Sequence, residues 1–308
     1  MSHLATLERK VEIVSLIALY VGFGVVSAAI LALAAVGFSM QYEVTNVLNL
    51  AYGQVMTVAA LAAYAVNRLG GALWLMLVVG GLVGAVLSAI LNRLIFSPFA
   101  KRGLKLFGMI VITIAVGLIV GNISLILFGF GSFSYGVASL TTYRFAGMVF
   151  TGSQLATVAL ALAAMAVIRI VLVKTKIGRA MRATATDPVL ARASGIRTGL
   201  VSDVAWLISG TLCGLAGVAA ATSVASWSVT TGDSLLITIV AAAVVGGIGQ
   251  PYGAMLGALL IGIVTSVIGG YVNPSYTEIS AFLILTGFLL FRPAGIVPGV
   301  VLEREVIA

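Results

Sequence analysis

Residues 14–38 read VSLIALYVGFGVVSAAILALAAVGF, a run of 25 residues without a charged side chain. A helix that crosses a bilayer needs roughly 20 mostly apolar residues, so this run is long enough to span a membrane. The whole chain has the same character, because 61% of its 308 residues are hydrophobic and only 8% are charged. Soluble domains carry about 25% charged residues. The sequence therefore predicts a membrane protein.

Similar apolar segments follow the first one along the whole chain. The segment 235–248 is shorter than a normal span and ends in a glycine cluster, so it is either a short crossing or a half-helix that enters the membrane and turns. The predicted fold is an all-α polytopic transmembrane bundle with about eight full spans, one short or half-spanning segment and a broken second helix. It forms one domain, 1–308. The predicted segments are 14–38, 44–66, 71–95, 106–130, 148–173, 203–225, 235–248, 252–271 and 278–291.

The charge pattern predicts the orientation. The net charge of +8 could indicate nucleic-acid binding, but the basic residues are concentrated in the loops 92–105 and 174–202. Short basic loops stay in the cytoplasm, so the lipid bilayer is the predicted partner, not nucleic acid. The segment 131–147 is then external. Arg292 and Arg304 place the C-terminus in the cytoplasm, and alternation of the spans places the N-terminus outside.

The cysteine and histidine content gives no indication of a disulfide, a metal site or a catalytic centre. Cys213 and His3 are single residues of their types, so we predict no disulfide, no metal site and no catalytic centre. Several segments carry glycines four residues apart, a spacing that lets helices pack closely or forms a dimer seam. These pairs are Gly80 and Gly84, Gly117 and Gly121, Gly210 and Gly214, and Gly253 and Gly257.

Residues 41–54, QYEVTNVLNLAYGQ, are unusually polar for a membrane segment. Amides at membrane depth need partners, and Asn46, Asn49 and Gly53 have the spacing of one helical face. The stretch either bonds neighbouring helices or lines a translocation path. Asp233 is expected at an external, solvated end, and no buried acid suggests a proton relay. The candidate pathway residues are Asn46, Asn49, Tyr52, Gly53 and Gln54.

The loop 176–198, KIGRAMRATATDPVLARASGIRT, contains its own helix signals. Asp187 is a good N-cap, Pro188 suits the first helical position and Gly195 suits the turn after a helix end. They predict a short helix over 188–194 with a small apolar face that includes Leu190. This helix is either a surface loop at the membrane or an element that inserts into the groove of a soluble partner.

Three stretches resemble the permease subunits of ABC importers of the branched-chain amino acid class. They are GFSMQYEVTNVLNLAYGQ at 37–54, GRAMRATATDPVLARASGI at 178–196 and AAAVVGGIGQPYGAMLGALLIGI at 241–263. FRPAGIV at 291–297 resembles the C-terminal end of these permeases. The resemblance covers nearly the whole chain in matching order.

The resemblance implies partners and residue roles. It implies a two-subunit membrane core that is more often a heterodimer of homologous permeases, two cytoplasmic ATPase subunits and an external solute-binding protein. Asn49, Gly53 and Gln54 correspond to its pathway motif. Many members have His-Gly-Glu where this chain has Tyr52-Gly53-Gln54, so an acid is missing here. The residues implied in ATPase coupling are Gly178, Arg179, Asp187, Ala191, Gly195 and Ile196, to which the helix signals add Pro188 and Leu190.

The predicted function is that of the transmembrane subunit of an ATP-driven importer in a bacterial inner membrane. Its cargo would be branched-chain or other hydrophobic amino acids, or related small carboxylates or amides. The chain has no G-x-x-x-x-G-K-[ST] phosphate loop, so ATP is expected on partner subunits and no cofactor on this one. The alternatives are a stand-alone secondary transporter and a membrane assembly subunit. A secondary transporter predicts an inverted repeat and an ion site, and neither is clear in the sequence.

Overall fold

The computed structural model describes residues 2–104, 106–136, 142–145, 148–292 and 294–297. Arg304 and the residues 137–141, within the predicted external segment, lie outside this part of the chain. Two small antiparallel ladders pair β1 Ser132–Ser134 with β4 Ser226–Ser228 and β2 Thr142–Phe145 with β3 Met148–Thr151. The helices are α1 Ser2–Thr45, α2 Tyr52–Arg68, α3 Leu73–Leu91, α4 Ser97–Lys101, α5 Leu106–Phe128, α6 Gly152–Lys174, α7 Lys176–Thr186, α8 Pro188–Ala193, α9 Thr198–Val224, α10 Thr231–Gly246, α11 Pro251–Tyr271 and α12 Tyr276–Phe291, with a π-helical turn at Asn92–Phe96.

The all-α membrane bundle is confirmed, whereas the predicted count of eight full spans is not. Within the described residues, six helical segments are long and apolar enough to cross a membrane. Helix α2 has 17 residues and α10 has 16, which at 1.5 Å per residue is about 25 Å against a hydrocarbon core of about 30 Å. The six segments are Leu19–Thr45, Leu73–Lys101, Leu106–Phe128, Gly152–Lys174, Thr198–Val224 and Pro251–Tyr271.

The first helix break lies earlier than the polar pattern indicates. Helix α1 continues to Thr45, and Asn46 has a left-handed backbone with φ 52°, which asparagine adopts more easily than most residues. The chain is then non-helical until α2 begins at Tyr52. Asn46, Asn49 and Gly53 therefore do not share a helical face, and the prediction based on their spacing was wrong.

A second break has the same construction. Helix α9 ends at Val224, and Ala225 has φ 56°. These two are the positive-φ residues other than glycine in the described part of the chain. After Ala225 the chain forms β4 and starts the short helix α10 at Thr231. In both places a long helix thus ends in a left-handed residue and a short helix follows.

The two breaks belong to an inverted repeat. Helices α1, α2 and α3 correspond to α9, α10 and α11, with opposite directions along the bundle. The first helices of the two triplets are antiparallel, because Ser209 in α9 donates to Gln41 in α1 at 3.1 Å, while Leu212, further along α9, lies against Gly37, earlier along α1. The second helices are antiparallel as well, because Thr57 in α2 donates at 3.4 Å to the carbonyl of Val229, just before α10.

Equivalent positions of the two halves are separated by one constant sequence spacing, although few of them carry identical residues. Gln54 and Asp233 are 179 residues apart, as are the first residues of α2 and α10 and the two left-handed residues. Between 46–54 and 225–233, only Gly53 and Gly232 are identical at this spacing. A repeat preserved in backbone geometry rather than in side chains explains why the sequence analysis did not find one.

Equivalent helix pairs cross closely in both halves. A Cβ at Gly84 of α3 would meet the backbone of Gly210 in α9, and a Cβ at Gly262 of α11 would meet the backbone of Ala28 in α1. Small residues at such crossings let backbones touch. For the pairs Gly80 with Gly84 and Gly210 with Gly214, close packing inside the subunit is thus the observed arrangement.

The two basic loops lie at the same end of the bundle. Arg93 forms an ion pair with Asp203 at 3.1 Å, and Asn92 donates to the same carboxylate at 2.8 Å. The start of the first basic loop therefore lies beside the first turns of α9, which follow the second basic loop. The opposite end holds β1 and β4, so 132–134 lies away from both basic loops, as the charge pattern requires.

Candidate translocation site and coupling surface

Helices α2 and α10 meet at their N-termini in the middle of the bundle. The backbones of Gly53 and Gly232 touch, since a Cβ on either glycine would collide with the carbonyl of the other. The depth is fixed by Tyr52, the first residue of α2. Its hydroxyl donates to the carbonyl oxygens of Ala34, at 3.0 Å, and of Ser209, at 3.2 Å, and both residues lie well inside the spans of α1 and α9.

One residue further along each short helix, two polar side chains bond each other. The Nε2 atom of Gln54 donates to Oδ2 of Asp233 at 2.6 Å. Only 5% of Gln54 is exposed, whereas Asp233 is exposed. Asp233 was predicted to be a solvated residue; it is exposed, but it lies in the first turn of α10 and bonds Gln54 there.

A cavity of about 300 Å³ lies beside this pair, between α2, α5 and α10. Its wall on α5 is mostly apolar, with Ile114, Leu118 and Leu125, and Leu50 and Val229 complete it from the two breaks. The polar groups that line it are Gln54, Asp233, Asn122 and Thr230. Small-molecule pockets have volumes of roughly 300–1,000 Å³, so this space suits a small, largely apolar solute.

The structure separates the five candidate pathway residues. Gln54 lines the cavity and Gly53 forms the backbone contact beside it. Tyr52 is enclosed between α1 and α9 and does not line the cavity. Asn46 is exposed at the end of α1. Asn49 is buried and accepts a hydrogen bond from the amide of Ala51 at 3.2 Å.

Asn49 and Gln54 each keep a buried amide atom without a partner among the described residues. Nδ2 of Asn49 and Oε1 of Gln54 have no hydrogen-bond partner within the described residues. A buried polar atom without a partner costs about 1–3 kcal/mol. Because a carboxylate only accepts, the Gln54 nitrogen must face Asp233, which leaves the amide oxygen as an open acceptor.

A glycine of α5 makes room for the Gln54 amide. A Cβ at Gly121 would lie 3.0 Å from Cδ and Nε2 of Gln54. At Gly117, one turn earlier, a Cβ would be 3.4 Å from Ala51, which is ordinary contact. The Gly117 and Gly121 pair therefore faces the site, and of the two only Gly121 touches Gln54.

The basic loop 174–202 contains two helices, α7 and α8; α8 is the short helix that its signals predict, whereas α7 was not predicted. Asp187 caps α8 by accepting from the amides of Val189, at 2.8 Å, and Leu190, at 3.0 Å, and Pro188 occupies the first helical turn. At the other end, Gly195 has φ 82°. The amide of Ile196 donates to the carbonyl of Ala191 at 3.0 Å, which is the Schellman pattern of helix ends.

The loop has one face against the bundle and one face in solvent. Ala191 is buried, whereas Val189 is 67% and Leu190 64% exposed. Gly178 lies against the last carbonyls of α6, where any side chain would collide with the backbone. Arg179 is exposed. The loop is thus packed on the membrane helices and presents apolar side chains outward.

A membrane bundle with broken helices at its centre and a capped docking helix at one end is the arrangement of a membrane transport subunit. The model of the family "Branched-chain amino acid transport system / permease component" matches residues 20–291. The chain belongs to this family, the permease subunits of ABC importers. It is thus a multi-pass membrane protein and one subunit of a larger transporter, and its family is not enzymatic.

Relatives agree over nearly the full length. The chain is 29% identical over 293 residues to the "Probable branched-chain amino acid transport permease protein LivH" of Methanocaldococcus jannaschii, which covers 88% of this chain and 90% of the relative. It is 27% identical over 290 residues to the corresponding high-affinity LivH protein of Escherichia coli K12, with 89% and 92% covered.

The fold also matches a solved structure. A structure of PsaBC from Streptococcus pneumoniae in complex with Fab aligns with a TM-score of 0.51 at 17% identity, covering 92% of this chain and 94% of that chain. The inverted repeat is a property that the alternative of a stand-alone secondary transporter predicted. The family match nevertheless assigns the chain to the ABC importers, and the repeat is compatible with that class.

Proposed function

We propose that the protein is the transmembrane subunit of an ATP-driven importer that moves branched-chain or other hydrophobic amino acids across the bacterial inner membrane. ATP would bind to two cytoplasmic ATPase subunits, and this chain would need no cofactor of its own. Transport would follow alternating access, for which inverted repeats around a central site provide the mechanical basis in many transporters.

The observation that carries the proposal is the exposed apolar face of α8. A helix of six residues is too short to be stable alone, yet this one is capped at both ends and anchored through buried Ala191. Val189 and Leu190 remain exposed outside the predicted membrane spans. A rigid apolar knob between basic flanks suits insertion into a groove of a soluble partner. This placement supports the proposed coupling role of Gly178, Arg179, Asp187, Pro188, Leu190, Ala191, Gly195 and Ile196.

The remaining proposed partners are those that the resemblance to the family implies. The membrane core would pair this chain with a homologous permease subunit, as a heterodimer, and an external solute-binding protein would deliver the cargo. The C-terminus would be cytoplasmic and the N-terminus external. The relatives named above are branched-chain amino acid permeases, and the apolar wall of the central cavity supports that cargo class. Small carboxylates or amides are the second candidate, because Gln54 stands where many family members have an acid.

The docking surface is tested with the double variant Leu190→Asp and Ala193→Asp. Both positions are exposed, so folding and membrane insertion should be unchanged. Docking would bury two carboxylates in the partner's groove, which costs several kcal/mol, about 3–5 for a buried unpaired charge. We expect copurification of the ATPase subunits to fall at least tenfold, and ATP-dependent leucine uptake to fall with it.

The matched control is Ser275→Asp. Ser275 is exposed at the first turn of α12, at the end of the bundle opposite α8, and aspartate is a good residue at a helix start. This variant adds negative charge without touching the docking helix and should keep full copurification. Normal ATPase binding by the Leu190→Asp and Ala193→Asp variant would refute the coupling assignment.

A further inference from the structure

We infer that Gln54 and Asp233 form a receptor for a positively charged ammonium group on the solute. The inference rests on the proposed transport function and specifies the cargo of the same site. It favours amino acids over simple carboxylates, although the acid expected at position 54 is missing. The acid is supplied instead by the equivalent position of the other half of the repeat.

The first argument is the supply of acceptors. The single hydrogen bond between the two side chains uses Nε2 of Gln54 and one oxygen of Asp233. Oε1 of Gln54 is buried and has no partner, and the second oxygen of Asp233 accepts no hydrogen bond from the described residues. An ammonium group carries three donors and no acceptor. It can donate to the two oxygens of this pair that accept no hydrogen bond from the described residues.

The second argument is charge. Within the described residues, the ion pair between Arg93 and Asp203 is the only one, so no lysine or arginine of that part of the chain neutralises Asp233. The N-terminus of α10 stabilises the carboxylate in its first turn, but this is a partial charge. A negative charge at membrane depth normally pairs with a cation or marks a transport path. A cationic group on the solute would complete the pair while it passes.

The third argument is position. The two residues occupy equivalent places in α2 and α10, one from each half of the inverted repeat, and they meet where both short helices begin. Sites of this kind, between discontinuous helices at the repeat interface, are where many transporters hold their solute. Movement of one half against the other would change the distance between the two acceptors.

The fourth argument is the surroundings. The wall of α5 beside this pair carries the apolar side chains of Ile114, Leu118 and Leu125. Because burial of apolar surface is favourable, this wall favours a branched apolar side chain. A solute carboxylate without an ammonium group would instead meet the charge of Asp233 and be repelled.

The test uses the complete transporter in proteoliposomes with saturating solute-binding protein. The probes are L-leucine and 4-methyl-2-oxopentanoate, which share the branched chain and the carboxylate and differ in the ammonium group. Asp233→Asn keeps an acceptor for Gln54 and removes the charge. We expect it to lower leucine uptake at least tenfold and to leave uptake of the oxo acid unchanged or higher, with an unchanged melting temperature.

A second variant distinguishes charge from structure. The double variant Gln54→Glu and Asp233→Asn moves the acid to the other half of the repeat and should restore leucine uptake to within about threefold of the native complex, since the charge again faces the cavity. Unchanged leucine uptake in Asp233→Asn would overturn the inference. So would an equal loss for both probes that the double variant does not restore. If the proposed function itself is wrong, the native complex will import neither probe.

Discussion

Gln54 and Asp233 are 179 residues apart in the chain, and Nε2 of Gln54 lies 2.6 Å from Oδ2 of Asp233. Each is the third residue of a short helix that follows a break. Their bond joins the two halves of the inverted repeat at its centre. The same place holds the backbone contact of Gly53 with Gly232. A solute bound by this pair would contact both halves of the repeat at once, as the solute site of an alternating-access transporter requires. The predictions below test this site, its scaffold, the orientation of the chain and its link to the ATPase.

The first prediction concerns the space around Gln54. Gly121→Ala places a methyl group 3.0 Å from the carboxamide, so the amide must shift and its bond to Asp233 lengthens. We expect leucine uptake to fall several-fold at unchanged expression. Gly117→Ala, one turn away on the same helix, introduces only an ordinary contact of 3.4 Å and should stay within twofold of the native rate. Equal uptake by the two variants would show that the position of the amide does not matter.

The sequence predicted this site in part. The polar side chains at 46–54 marked the first break, because amides are expensive in a membrane segment. The second break carries serines, threonines and a tryptophan at 225–231, which are less costly, so it gave no comparable signal. Asp233 was consequently not predicted to belong to the site. Its partner lies 179 residues away, and only the packing of α2 against α10 brings the two together.

The sequence predicted structure correctly where that structure depends on residues close together in the chain. Asp187, Pro188 and Gly195 act within one short helix, and the observed α8 differs from the predicted 188–194 by one residue. The number of spans depends instead on where each helix starts relative to the membrane. The apolar composition of a segment does not show where its helix starts. The predicted segment 44–66 begins too early, because its first residues belong to α1 and to the break.

The second prediction concerns the crossing of α3 and α9. At Gly84 an added methyl group would meet the backbone of Gly210 and come within 3.0 Å of Cα of Gly214. Backbone cannot move aside without separating the helices, and overpacking of this kind costs about 1–3 kcal/mol. Gly84→Ala should therefore lower the melting temperature of the detergent-solubilised complex.

The control for Gly84→Ala is a glycine substitution that should not lower the melting temperature. Gly287 in α12 has no atom within 4 Å of an added Cβ, and alanine in a helix is favoured over glycine by about 0.5–1 kcal/mol. Gly287→Ala should leave the melting temperature unchanged or raise it. Equal destabilisation by both substitutions would contradict the assignment of Gly84 to a tight helix crossing.

The third prediction concerns orientation. Ser134 and Ser194 are exposed at opposite ends of the bundle, and the native Cys213 is buried, so it should not react. A cysteine at Ser134 should be labelled by an impermeant thiol reagent in intact cells, because the basic loops at the other end are expected in the cytoplasm. A cysteine at Ser194 should be labelled only after permeabilisation. Labelling in the reverse order would invert the proposed topology. Ser139 lies outside the described residues and Thr184 is buried, so neither suits this experiment.

The last prediction concerns the cap of the docking helix. Asp187 holds the first turn of α8 through the amides of Val189 and Leu190, and loss of an N-cap costs about 1 kcal/mol. Because α8 has only six residues, this loss loosens the whole helix rather than fraying one end. Asp187→Ala should weaken the stimulation of ATPase activity by loaded solute-binding protein, while the basal ATPase activity of the assembled complex changes less.

Asp187→Asn is the matched variant, since asparagine caps helices as well as aspartate does but carries no charge. If the cap alone matters, Asn will preserve stimulation and Ala will reduce it several-fold, about fivefold for a coupling equilibrium shifted by 1 kcal/mol. If the charge of Asp187 is what the ATPase recognises, both variants will lose stimulation alike. If neither variant changes it, the order of α8 does not limit coupling, and the transmission of ATPase closure must run through α7 and its packing under α6.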